Sequence, residues 1–219
     1  GSGAGFRGRR PSPTGRDRPN GCKRKGQSMM TTTNDTPRVW IGDLGAYNAG
    51  ELVGRWIDAT DRDALDAAID RATHGGRSDY YVGDSDGFGG MVGEYVSADT
   101  IHALATIIGD HGLEVVQAFR DCTGDDDPDA IGEGIADRYV GEFESWADFA
   151  MSDHNVWTGR DRDGRTTTYI GTELGTLEVV GEDPSYVDWD AIGRDYNLGG
   201  CTYTGTTDGA YRLHIFRVS

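Results

Sequence analysis

From Arg38 onward the chain carries 13 arginines, no lysine and 35 aspartates and glutamates, a balance of −22. That excess constrains the fold more than any apolar pattern does. Like charges at this density repel, so the acids must spread over a solvated surface around modest cores. The formal charge of all 219 residues is only −16, because residues 1–37 run the other way, with eight Lys and Arg against two acids. An acidic body repels nucleic acid and membrane surfaces and attracts proteins that bear basic grooves. Direct nucleic-acid binding and membrane association are therefore not expected. Function is one source of such an excess, and adaptation to high salt is another.

The acid is densest between Asp121 and Ala150. Asp121, Asp125, Asp126, Asp127, Asp129, Glu133, Asp137, Glu142, Glu144 and Asp148 stand there against the single base Arg138. Pro128 suits the first turn of a helix capped by Asp127, where its missing N–H costs nothing. Asp129, Glu133 and Asp137 then recur every fourth residue and share one helical face. At a rise of about 1.5 Å per residue they repeat every ~6 Å. Duplex DNA offers a phosphate every ~3.4 Å of axis on each strand. A ruled line of carboxylates can thus stand in for phosphates, although a solvated helix face in an acidic protein has the same pattern.

Along the chain, residues 1–37 are rich in Gly, Arg, Pro, Ser and Thr and are expected to be a disordered basic arm, or upstream sequence before a start at Met29 or Met30. Residues 38–95 read as a first α+β domain. Strands are expected at 38–42, 52–58, 79–82 and 91–95, a turn at Tyr47–Gly50, and a helix over 61–73 capped by Thr60. Asp63, Asp66 and Asp70 fall opposite that helix's apolar stripe. Residues 96–138 read as a small helical domain, with helices over 98–110 (capped by Ser97), 113–121 and 128–138. Residues 139–219 read as a C-terminal α+β domain. Ser145 caps a short helix, strands follow at 166–170 and 176–180, a helix at 189–196, and strands at 201–204 and 211–218. The fold class is α+β in three small domains.

No motif points to catalysis or a cofactor. An EF-hand loop needs oxygen ligands at positions 1, 3 and 5, Gly at 6 and Glu at 12. Starting from Asp84, positions 5 and 12 are Phe88 and Tyr95; from Asp121, positions 6 and 12 are Asp126 and Gly132; from Asp161, position 5 is Arg165. All three fail. His74, His102, His111, His154 and His214 lie in separate elements without metal-ligand spacing, and no nucleophile elbow, P-loop or dinucleotide fingerprint is present. Cys22, Cys122 and Cys201 are too few and too scattered for a disulfide scaffold, which suits a reducing cytoplasm. The aromatics Trp40, Trp56, Tyr80, Tyr81, Trp146, Phe149, Trp189 and Tyr211 are core candidates, although aromatics beside acids can also receive a partner's arginine.

Four patches in register resemble the ArdA antirestriction proteins. Arg38-Val-Trp-Ile-Gly through Tyr47-Asn-Ala-Gly to Gly54-Arg-Trp-Ile-Asp is similar to that family's opening. Asp84-Ser-Asp-Gly-Phe with Glu94-Tyr is similar to the close of its first domain. Ala136-Asp-Arg-Tyr-Val-Gly-Glu-Phe-Glu-Ser-Trp-Ala-Asp-Phe-Ala is the strongest match, and Tyr186-Val-Asp-Trp-Asp-Ala-Ile-Gly-Arg-Asp-Tyr resembles the C-terminal signature.

The resemblance implies a DNA mimic carried by mobile genetic elements, not an enzyme. It implies an elongated homodimer that pairs through its third domain, and carboxylates that occupy the DNA groove of type I restriction–modification enzymes, at the methyltransferase core. The expected partner-binding acids are Asp63, Asp66, Asp70, Asp84, Asp86, Asp110 and Glu114, together with the ten from Asp121 to Asp148. Two segments depart from the family pattern. Residues 153–168 bear Arg160, Arg162 and Arg165 and read as a hairpin or loop where the family has a shorter acidic link, and the basic arm has no counterpart. The competing reading is an acidic, salt-adapted module that binds an unrelated basic protein.

Overall fold

Val39 and Ile41 alternate with Arg38 and Trp40 along β1 (Arg38–Asp43), so one face of this strand is buried and the other open. The computed structural model describes residues 36–160, 162–172, 175–178, 187–199 and 203–218, so the basic arm up to residue 35 lies outside the described residues. β1 is the middle strand of an antiparallel sheet, flanked by β2 (Gly54–Asp58) and β3 (Tyr80–Asp86). Between β1 and β2 a short helix, α1 (Leu44–Asn48), capped by Asp43 Oδ1 accepting from the Ala46 amide at 3.0 Å, leads into the expected turn, where the Gly50 amide donates to the Tyr47 carbonyl at 2.9 Å.

Helix α2 (Arg62–Ala72) crosses to β3, with Leu65 and Ala68 buried. Its cap is Asp61, which accepts from the Ala64 amide at 2.9 Å; the expected cap, Thr60, instead donates its hydroxyl to Asp58 Oδ1 at 2.6 Å. The strand expected at 91–95 does not form. Gly87, Gly89 and Gly90 adopt φ of 77°, 56° and 81° and turn the chain off the sheet while Phe88 enters the core. One backbone bond still ties this segment to β3, from the Val82 amide to the Glu94 carbonyl at 2.9 Å.

Helices α3 (Ala98–His111), α4 (Leu113–Thr123) and α5 (Pro128–Arg138) follow, close to the ranges their periodicity predicts. Ser97 caps α3 through the Thr100 amide, and Gly124 in the left-handed region ends α4. Asp127 occupies the cap position of α5, but its carboxylate makes no capping bond. Ile101, Leu104 and Ile108 from α3, Val116 and Phe119 from α4, and Ile131 and Ile135 from α5 join Val39 and Ile41 in one apolar cluster.

α5 runs directly into a strand absent from the sequence reading, β4 (Tyr139–Phe143), and then α6 (Trp146–Asp153), capped by Ser145. A hairpin follows, with β5 (Asn155–Arg160) on β6 (Thr166–Thr172), and β7 (Gly175–Glu178) completes that sheet. α7 (Trp189–Gly199) packs on α6. β8 (Tyr203–Thr207) and β9 (Leu213–Arg217) then close a second sheet in the order β4-β9-β8. The expected strand residues Val179, Val180, Cys201 and Thr202 lie outside the described residues. Phe149, Leu213 and Ile215 form a second cluster with Phe143, Trp146, Tyr196 and Tyr203, while Phe216 joins the first. The class is mixed α and β, with small antiparallel sheets.

Candidate protein-binding surface

α5 turns Ile131, Gly134 and Ile135 inward, which leaves Asp129, Glu133 and Asp137 exposed on the opposite side. The same division holds on α2, where Leu65 and Ala68 are buried and Asp63, Asp66 and Asp70 exposed. Asp110 and Glu114 flank Gly112 at the junction of α3 and α4. Asp121 ends the exposed side of α4, and Asp125, Asp126 and Asp127 form the loop into α5. Glu142 on β4, Glu144 and Asp148 extend the acidic run to α6. Asp84 and Asp86 lie on β3. Each of these seventeen carboxylates is exposed.

Four of them already hold an arginine of the chain. Arg62 lies 2.9 Å from Asp66 and 2.6 Å from Asp99, and the hydrogen bonds it donates to these two carboxylates raise its pKa well above the ordinary arginine value. Arg38 lies 2.7 Å from Asp86, Arg120 pairs with Asp126, and Arg212 with Glu142. Solvent screens such exposed pairs, so a basic partner can replace them at small cost. The other thirteen have no ion pair among the described residues, the α5 triplet included. Arg138, the single base of the acidic run, lies over the Phe119 ring at 6.0 Å instead of neutralising its neighbours.

Two carboxylates outside this set are structural. Asp43 is nearly buried, and the Ala46 amide, then His74 at 2.7 Å, hold its carboxyl below the ordinary value in spite of burial. Burial pushes Asp208 up, but the amides of Arg212 and Ala210 and the His214 ring outweigh it and leave Asp208 lowered. His214 Nε2 meets Asp208 Oδ2 at 3.1 Å, which leaves Nδ1 to accept the Tyr139 hydroxyl at 3.1 Å. Burial pushes the Tyr139 hydroxyl up to about 12. His102 and His154 bind backbone carbonyls of Ala59 and Ala150. Among the described residues no group of three or more His, Cys, Asp and Glu could hold a metal ion, and no helix is long and apolar enough to cross a membrane.

One feature escaped the sequence reading. Trp40, Tyr47, Trp56 and Tyr81 line a cavity of about 520 Å³ on the open face of the first sheet, with Asp84 and Glu94 beside it. The aromatics were visible as residue types, but only strand pairing shows which of them face away from the core.

A family model described as "Antirestriction protein (ArdA)" matches residues 39–211. No curated protein and no solved structure matches the chain.

Proposed function

The chain belongs to the ArdA antirestriction family, and from that premise we propose that it competes with duplex DNA for the basic groove of type I restriction–modification enzymes, at the methyltransferase core. Exposure of all seventeen candidate carboxylates, thirteen of them without an ion pair among the described residues, carries this reading. Carboxylates engage the Lys and Arg that otherwise bind phosphates and displace condensed ions as DNA does. Action is by occupancy, without turnover. Base-specific contacts have no counterpart on such a surface, so inhibition extends across enzymes with different recognition sequences. The protein acts in the cytoplasm as a homodimer joined through residues 139–219, and its genes travel on mobile elements.

Competition tests this directly. The full chain is titrated into a type I methyltransferase core bound to labelled duplex, at low and at moderate salt. Displacement near stoichiometric amounts that weakens steeply with salt is expected. A folded chain that leaves the duplex bound at low salt would reduce the family relationship to a shared fold.

A further inference from the structure

The open face of the first sheet is built around a tryptophan that lies flat. A Cβ on Gly54 would stand 2.4 Å from the Trp40 ring, one on Gly42 also 2.4 Å, and one on Gly83 2.6 Å. Real side chains cannot approach so closely. A glycine from each of the three strands therefore makes a floor on which the indole rests, and Trp40 lines the cavity above it. Tyr81 packs edge-on to Trp40 with centroids 5.8 Å apart, and Tyr47 from α1 leans on Tyr81 at 4.9 Å. Trp56, directly opposite Trp40 on β2, continues the aromatic surface and is 44% exposed. This is not a core arrangement, because Val39 and Ile41 on the other face supply the core.

The acids next to it suggest the occupant. Asp84 is the cross-strand partner of Trp40, and Asp84 and Glu94 both line the cavity. One step along the same face the chain shows what such a site takes. Arg38 lies over the Trp56 ring at 5.6 Å while it pairs with Asp86, its own cross-strand partner, at 2.7 Å. At Trp40 the aromatic platform and the carboxylates recur without a cation of this chain among the cavity's lining residues. A planar guanidinium stacks on an indole and forks to carboxylates, whereas an ammonium is a compact, strongly hydrated charge. An apolar ligand would desolvate the carboxylates without compensation, and phosphate would be repelled by them.

We propose that the aromatic hollow over Trp40 is a socket for an arginine side chain of the protein partner, with Asp84 and Glu94 as its counter-ions. Whose arginine it receives rests on the antirestriction reading; that it receives one does not. The contact is separate in kind from phosphate mimicry, since it adds aromatic stacking to charge.

Two measurements on the full chain test these parts separately. In the first, indole N–H resonances are followed during titration with N-acetyl-arginine amide, N-acetyl-lysine amide and N-acetyl-citrulline amide. The Trp40 signal is expected to shift saturably with the arginine compound, and about tenfold more weakly with the other two. Asp84→Asn with Glu94→Gln is expected to lower the arginine affinity about tenfold at unchanged circular dichroism. No saturable shift, or equal response to citrulline or lysine, overturns the socket. In the second, Trp40→Leu and, separately, Tyr47→Leu compete for the methyltransferase core. Both keep every charge, so potency falls about tenfold while its salt dependence stays as in the wild type. Unchanged potency in both folded variants overturns the assignment of the socket to that partner. A wild-type chain that displaces no duplex removes the partner instead, and the titration alone then judges the socket.

Discussion

Two glycines on helices separate conformational cost from close approach. On α7, a Cβ at Gly193 would stand 2.6 Å from Ala147 N and from Trp146 C, backbone atoms of α6 that cannot swing aside. Gly193→Ala is expected to lower stability by about 1–3 kcal/mol, read from urea unfolding. Gly109 in α3 has nothing within 4 Å of its would-be Cβ, so Gly109→Ala should instead raise stability by about 0.5–1 kcal/mol through lower chain entropy. The Asp208–His214–Tyr139 group yields a pH signature. Because the folded Asp208 pKa lies below the unfolded 3.8, its contribution is complete above that value and is lost as pH falls through the lowered one. The gap in urea midpoint between wild type and Asp208→Asn should therefore be widest near neutral pH and begin to narrow only below about pH 4. A gap of constant size from pH 7 to pH 3 contradicts it.

At the scale of elements, α5 was readable from sequence because its determinants are local. Pro128 at the first turn, the four-residue spacing of Asp129, Glu133 and Asp137, and the inward Ile131 and Ile135 all act within one helix. β4 was not readable, since Tyr139–Phe143 is short, follows α5 without a break, and pairs with β9 some seventy residues later. β5 carries mostly exposed residues and is a strand through its ladder with β6 rather than through alternation. Replacing Asp129, Glu133 and Asp137 together by Asn, Gln and Asn should weaken competition with duplex in steps and flatten its salt dependence. Each single replacement should cost no more than about 1 kcal/mol, as one exposed charge among many does. A single change that abolished competition, with folding intact, would contradict a binding energy spread over many charges.

For the whole molecule, the first cluster takes Phe216 from β9, 5.4 Å from Phe119 and 5.2 Å from Tyr139, although β9 belongs to the C-terminal sheet. We propose that 38–95, 96–138 and 139–219 are folding units, and Phe216 tests that division. Phe216→Ala should cost about 3–5 kcal/mol. If the units unfold separately, the loss will show in helix α4 and β4 while the first sheet keeps its amide protection. The charge of −22 beyond residue 37 has its own signature. Screening is nearly complete at a Debye length of about 8 Å, so stability should rise up to roughly 0.15 M salt and then level off. A further large gain in molar salt would favour the salt-adapted reading over mimicry.

The features legible in the sequence are local or cumulative. Helix registers and caps follow from contacts within a few residues, outward acids follow from the cost of burying charge, and family membership follows from patches read in order. Features that join residues far apart in the chain follow only from long-range packing. Phe216 enters a core begun at Val39, and the floor beneath Trp40 needs one glycine from each of three strands. No periodicity brings Gly42, Gly54 and Gly83 together; only the pairing of β1 with β2 and β3 does so.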